Sequence, residues 1–437
     1  MPFYAPEDET LRPDVLRAMQ GRKLARLLDE IRASNTFYQR RFRGVVLDVR
    51  RDALDRLPLT TRQDIEHDQA ANPPYGTNLT YPLPHYRRFH QTSGTSGAPL
   101  CWLDTAQSWD WWKHCWGVIY RAAGVTPDDR FVFPFSFGPF IGFWGAFESA
   151  VDLGNLTLPA GGMTTVARLH YLVENDVTFV GCTPTYAVRL AEVAIEQGID
   201  LRASAVRGLI VAGEPGGHIE PIRRRIEESF DARVFDHAGM TELGPWGFEC
   251  VENPQAMHVM ESEFIAEVLD TKSLQPVPDG EVGELVLTNL GRLGSPLIRY
   301  RTGDLVRLNH GQCACGRWFA RAEGGILGRV DDMLLIRGNN VFPSVVEGII
   351  REFRAVAEFR LEVTEPGSPS ELNISIEPAR DANAKELAEA IQRTIRDRLH
   401  FTPRVTAVEP GALPRFEMKA KRWVRTGRGN GSSPART

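Results

Sequence analysis

Between Arg130 and Phe235 the chain alternates short β-rich runs with helical segments, and this limits the fold more than any other feature of its 437 residues. Arg130-Phe131-Val132-Phe133, Val177-Thr178-Phe179-Val180, Gly208-Leu209-Ile210-Val211 and Arg233-Val234-Phe235 read as strands. Val166 to Glu174, Tyr186 to Gln197 and Glu220 to Phe230 read as helices. Such alternation implies an α/β layered sheet, whose ligand sites lie in loops past the strand C-termini. Two glycine-rich loops follow strands in this way: Gly213-Glu214-Pro215-Gly216-Gly217 and His237-Ala238-Gly239-Met240-Thr241-Glu242.

The flanks complete the plan. Leu16, Met19, Leu24, Leu27, Leu28 and Ile31 mark an amphipathic helix over 11–33, and the Trp-rich tract Asp104 to Ala123 is a second long helix. The Pro-, Thr- and Asn-rich tract from Leu54 to Tyr86 reads mostly as irregular connection, and Glu263 to Leu308 has β-hairpin character. After about Gly328 a strand, a helix, two strands, a helix and a strand suggest a small α+β unit. The expectation is a large multi-layered α/β N-terminal domain over 1–328 and a small α+β C-terminal lid domain over 329–437, with a disordered tail from about 425.

Ahead of the long helix stands Thr92-Ser93-Gly94-Thr95-Ser96-Gly97, six small residues rich in hydroxyl and backbone donors. They make a poor core and a good cradle for phosphate, although Ala98-Pro99-Leu100 replaces the Gly-Lys-Ser/Thr of a Walker loop; a plain surface turn is the alternative. A net charge of −5 excludes a general polyanion-binding surface, so any phosphate site is local and nucleic acid is not a partner. No apolar run approaches the roughly 20 residues of a membrane span, and no signal peptide opens the chain. The expected location is the cytosol.

Thr92 to Gly97, Gly213-Glu214-Pro215, Gly239-Met240-Thr241-Glu242, Tyr300-Arg301-Thr302-Gly303-Asp304, Gly328-Arg329-Val330-Asp331-Asp332 and Lys419 resemble, in order, the core motifs of the adenylate-forming acyl-CoA synthetase superfamily. The runs Arg337 to Ser344 and Leu413 to Lys419 look most like its phenylacetate-CoA ligase branch. The resemblance implies an enzyme that joins ATP and a carboxylic acid into an acyl-adenylate and then passes the acyl group to coenzyme A. A carrier protein, an amine or another nucleophile is the alternative acceptor.

Both reactants of the first step are anions, so the site must neutralise charge before it can catalyse. By the resemblance, Thr92, Ser93, Gly94, Thr95, Ser96 and Gly97 hold the β- and γ-phosphates, and Glu242, next to Thr241, helps bind Mg²⁺. Gly213, Glu214, Pro215, Asp236, His237, Ala238, Gly239 and Met240 border the nucleotide. Asp304 accepts the ribose hydroxyls; a turn-forming Asp is the alternative. Arg329 contacts the nucleotide, and Asp331 is the hinge on which relatives rotate the small domain. Lys419 supplies the catalytic ammonium, with Lys421 as the competing choice. Two departures stand out: the phosphate loop lacks a following lysine, and Ala238 stands where many relatives stack an aromatic ring on adenine.

The run Phe133 to Phe140, with Phe143 and Trp144, can wall a small aromatic acid or fill the core. Phe137 and Gly138 are expected nearest the substrate, with Gly213 and Gly239 opposite. Cys250, His258, Cys313 and Cys315 offer three thiolates and an imidazole, which their spacing leaves open between a metal site and buried thiols. The resemblance implies structural Zn²⁺ there. It also makes a homodimer plausible.

Overall fold

The computed structural model describes residues 2–45, 51–92, 99–336, 339–365, 371–379, 381–416 and 422–427. Among these, a twelve-stranded mixed sheet forms the centre of the large unit. Its parallel half runs, in spatial order, Leu156–Pro159, Arg130–Phe133, Phe179–Cys182, Gly208–Ala212 and Arg233–Met240. The strands Phe179–Cys182 and Gly208–Ala212 have almost no exposed position, as expected for a sheet covered on both faces.

The strand order carries a functional consequence. From Arg130–Phe133 the chain steps outward to Leu156–Pro159, then returns across the first strand to place Phe179–Cys182 on its other side. The direction of winding therefore reverses between Arg130–Phe133 and Phe179–Cys182, and a crevice opens past their C-terminal ends. The segments leaving those ends are 134–143 and 183–185.

Local sequence sets the helices around this sheet. Pro184–Gln197 starts with Thr183 accepting from the Tyr186 N–H and Pro184 in the first turn, and it ends at Gly198, whose φ of 69° suits glycine. Ala106–Ala122 is capped by Thr105 and buries Trp109, Trp112 and Trp116 at spacings of three and four. The tract over 54–86 is not mostly irregular: it contains helix Arg62–Ala71, opened by a capping box between Thr61 and Asp64. Positions 93–98 fall in sequence between the antiparallel strands Tyr86–Gln91 and Cys101–Thr105.

The other half of the sheet is antiparallel: Gly244–Cys250, Asn253–Val259, Arg321–Glu323, Tyr300–Asn309, Val282–Asn289 and Phe264–Leu269, with the two-residue strand Gly328–Arg329 pairing off Tyr300–Asn309. The smaller unit has a four-stranded sheet in the order Arg404–Ala407, Glu371–Pro378, Val356–Glu365 and Trp423–Gly427. Helices Pro343–Arg351 and Ala384–Leu399 cover it, and its core, from Leu334 to Phe401, is separate from those of the large unit.

Candidate active site

The two reactive segments expected at opposite ends of the chain, Ser93 to Gly97 and Lys419 with Lys421, lie outside the described residues. Thr92 is described. Its N–H donates to the Leu100 carbonyl and its Oγ1 accepts from the Leu100 N–H, both at 2.9 Å, so Thr92 closes the base of the loop. One residue earlier, the Gln91 N–H donates to the Pro139 carbonyl at 2.8 Å and docks the aromatic segment against this strand.

The Gly-Met-Thr-Glu motif differs from its expected form. The strand from Arg233 continues to Met240, with Gly239 opposite Pro245 and Met240 opposite Gly244. Glycine at 239 suits this close pairing, because a Cβ there would stand 3.1 Å from the Gly244 carbonyl and press the two strands apart by a few tenths of an ångström. The following residue, Thr241, is fixed through its carbonyl, which accepts from Arg292 Nη1 at 2.7 Å. Arg292 in turn makes two bonds to Asp104, of 2.7 and 2.6 Å, with both side chains wholly buried. Breaking such a pair by removing one partner costs about 3–5 kcal/mol, so the end of the motif is held rigidly.

Glu242 is buried, and its Oε1 accepts from the Tyr300 hydroxyl at 3.0 Å. Asp304 lies on the same strand as Tyr300 and is 3% exposed. Its Oδ1 accepts from Arg329 Nη1 at 2.8 Å. Burial raises the Asp304 carboxyl to about 6 against the pull of Arg329, and nearby Glu242 and Glu284 add to the rise. Asp304 thus feels two further carboxylates, of which Glu284 is itself paired with Arg301 at 2.6 Å, and its own two oxygens are acceptors suited to hydroxyl ligands. Asp331 follows in the short turn Val330–Asp332, with its carboxylate 3.9 Å from Arg329.

His237 is buried and held neutral, since burial lowers its pKa to about 4. Its Nδ1 lies 2.7 Å from the Gly247 carbonyl, an acceptor, so that nitrogen carries the proton. Its ring packs 4.5 Å from Trp116, which also touches Phe143. Ala238 is buried in register with Gly247. Asp236 Oδ2 accepts from His218 Nδ1 at 3.0 Å, which fixes the proton of that ring on Nδ1.

Gly213 leaves the strand Gly208–Ala212 with φ 96°, a left-handed turn, and Ala212 is in register with His237. The adjacent Glu214 accepts from the Thr185 N–H at 2.9 Å, and Pro215 continues the same turn. On the opposite wall of the crevice the half-buried Phe137 ring lies 4.8 Å from Trp144 and 5.3 Å from Phe147. Trp144 Nε1 donates to the Gly138 carbonyl at 3.0 Å. Phe131, Phe133 and Phe143 belong to the core instead.

Away from the crevice, the ligand atoms of Cys250, His258, Cys313 and Cys315 all lie within 4.8 Å of one another. Cys250 and Cys313 sulfurs are 3.9 Å apart, and Cys315 Sγ is 3.6 Å from His258 Nε2. Tetrahedral Zn²⁺ with bonds of about 2.0–2.3 Å needs ligand separations of roughly 3.3–3.8 Å, so the cluster fits that ion. A hydrogen bond from Cys250, then His258, holds the Cys315 thiol far below its ordinary value.

Tyr300, Arg292 with Asp104, and Thr185 were not expected at the site. Tyr300 begins the Thr-Gly-Asp motif and was open to inference; the other contacts join residues far apart in sequence.

Residues 89–291 match the family described as AMP-binding enzyme, and residues 338–426 match the AMP-binding enzyme C-terminal domain. The chain is 31% identical to a phenylacetate-coenzyme A ligase of Thermus thermophilus over 95% of its own length and 97% of that protein's. It superposes on 2-hydroxyisobutyryl-CoA ligase in the postadenylation state with a TM-score of 0.92, at 26% identity, covering 98% of this chain and 93% of that one. Against the same ligase in its thioesterification state, at 27% identity and covering 97% and 92%, the TM-score is 0.73. Over nearly the same coverage, this chain is therefore more similar in arrangement to the first structure than to the second.

Proposed function

The chain belongs to the adenylate-forming AMP-binding enzymes, in their phenylacetate-CoA ligase-like branch, and from that premise we propose that its acid substrate is a small aromatic carboxylate. It is an AMP-forming acid-CoA ligase: it activates an acid with ATP and transfers the acyl group to coenzyme A. The observation that carries the aromatic reading is the Phe137 ring, half-buried against Trp144 and Phe147 on the wall of the crevice. Edge contacts from such rings favour a flat apolar guest.

In this reading Asp304 accepts the ribose hydroxyls, Arg329 keeps it ionised and faces the nucleotide, and Glu242 is the carboxylate that would hold Mg²⁺, which neutralises phosphate charge when bound. Thr92 fixes the base of the phosphate loop. His237, neutral and fixed, and the backbone at Gly239 border the adenine side, and Asp236 is held for it by His218. Lys419 is the ammonium that stabilises charge building between carboxylate and α-phosphate. CoA thiolate then attacks the mixed anhydride carbon, and AMP leaves. Asp331 is the hinge between the two steps. The present arrangement belongs to the adenylation side of that cycle. Cys250, His258, Cys313 and Cys315 would hold a structural Zn²⁺ with no open coordination position.

The test is turnover with ATP, Mg²⁺ and a panel of phenylacetate, benzoates, cinnamates and 2-hydroxyisobutyrate, with and without CoA. AMP and acyl-CoA in equal amounts from an aromatic acid are expected. Preference for 2-hydroxyisobutyrate overturns the aromatic reading. Turnover with an amine in the absence of CoA overturns the choice of acceptor. Among the described residues no helix is long and apolar enough to cross a membrane.

A further inference from the structure

Arg422 is 8% exposed, and its guanidinium is shared between the two units. Within the small unit, Nε and Nη2 donate to the two carboxylate oxygens of Glu358 at 2.6 and 3.1 Å, and Glu347 lies 3.6 Å from Nη1. That same Nη1 donates to Thr185 Oγ1 of the large unit at 3.2 Å. Thr185 stands three residues past the end of strand Phe179–Cys182, at the crevice where the winding reverses. Its own N–H donates to Glu214, in the loop beyond the next strand.

A guanidinium held by both oxygens of one carboxylate has a fixed plane, so its remaining edge points in one direction. That edge meets Thr185 only in the present arrangement. Rotation of the small unit would carry Arg422 and Glu358 away together and leave Thr185 and Glu214 behind. The surrounding contact is less specific: helix Pro343–Arg351 packs against helix Glu220–Phe230, and Arg354 reaches Glu228 at 2.8 Å in solvent.

We propose that Arg422 is a positioning residue that, through Thr185 and Glu214, latches the small unit in the arrangement for adenylate formation and lets go when the unit turns for thioester formation. The inference rests on the two-step reaction proposed above. Lys419 stands three residues earlier in the chain, so fixing Arg422 fixes the downstream end of the segment that carries it.

Arg422 itself is poorly suited to mutation, because its loss takes the two-pronged partner from buried Glu358 and leaves it the longer contact to Arg351, at 3.5 Å. Thr185→Val removes only the acceptor across the interface, and Thr185→Ser keeps it. The two half-reactions are read separately: acid-dependent ATP–pyrophosphate exchange, and CoA acylation from preformed phenylacetyl-adenylate. Thr185→Val is expected to slow exchange about ten- to a hundredfold, the effect of one lost charged hydrogen bond, and to leave CoA acylation within about twofold. Thr185→Ser should restore exchange. Deuterium uptake over 220–230 and 343–351 should rise in Thr185→Val but not in Thr185→Ser. Equal loss of both half-reactions, or unaltered exchange and deuterium uptake, overturns the latch. If the wild type shows no acid-dependent exchange with any acid, the ligase reading fails instead, and deuterium uptake alone decides the latch.

Discussion

Arg329 Nη1 donates to Asp304 Oδ1 at 2.8 Å, so the residue just ahead of the linker turn is tied to the strand bearing the expected ribose acceptor. Burial lifts the Asp304 carboxyl from 3.8 to about 6, and Arg329, by charge and by hydrogen bond, offsets part of this. The pair sets two demands against each other: burial disfavours the charge on Asp304, and the nucleotide requires the carboxylate that Arg329 helps to keep.

The sign of the pH effect follows. Between pH 3.8 and about 6 the folded chain keeps the Asp304 proton that the unfolded chain has lost. This residue therefore costs the empty protein stability as pH rises through that window, up to roughly 3 kcal/mol at neutral pH. Asp304→Asn is expected to raise Tm at pH 7.5 and to weaken ATP binding about tenfold or more. In the wild type, ATP affinity should fall below about pH 6. Thermal melts and titration calorimetry check both; a lower Tm with unaltered ATP affinity contradicts the assignment.

The acyl pocket can be probed by a single methyl. A Cβ on Gly138 would meet nothing nearer than the Ser136 carbonyl, at 3.9 Å, so Gly138→Ala should fold with the wild-type Tm. If Gly138 borders the acid, the methyl should raise KM for phenylacetate about tenfold or more while changing KM for acetate little. Uniform changes across acid sizes would place Gly138 outside the pocket.

Four of the five parallel strands, from Arg130 to Phe235, were legible in the sequence because each carries its own local pattern; the short edge strand Leu156–Pro159 and helix Trp144–Asp152, which decide where the winding reverses, were not. The sequence also did not reveal helix Arg62–Ala71, whose capping box at Thr61 and Asp64 was masked by Pro- and Thr-rich flanks. Nor did it show that Gly239 and Met240 are strand rather than loop, since that depends on pairing with Pro245 and Gly244. Residue type was enough to collect Cys250, His258, Cys313 and Cys315. By contrast, Asp104 and Arg292 are 188 positions apart, and Thr185 and Arg422 are 237 apart; such contacts exist only after folding and leave no local mark.

The cysteine cluster predicts a metal. Cys250 and Cys313 are separated by 63 positions, so one ion would close a long loop and pin the strands Gly244–Cys250 and Asn253–Val259 to the turn after Asn309. Purified protein should contain about one zinc per chain and lose it in Cys313→Ser. Chelation should lower Tm by several degrees, with adenylation lost only as the protein unfolds. Zinc-free wild type of unchanged Tm would leave the four residues as buried thiols beside a histidine.

Lys419 carries the sharpest functional expectation, because the expected phosphate loop brings no lysine of its own. Ala98-Pro99-Leu100 follows the phosphate loop without a lysine, and Arg329 is already engaged by Asp304. The carboxylate and the α-phosphate repel each other until a cation stands between them. Removing one preorganised charge donor of this kind costs about a hundred- to a thousandfold in rate. Lys419→Ala should therefore slow ATP–pyrophosphate exchange by that factor and leave CoA acylation from preformed adenylate near wild type, whereas Lys421→Ala should do neither. If the two variants exchange these behaviours, Lys421 is the catalytic group; if both retain full exchange, the cation comes from another part of the chain.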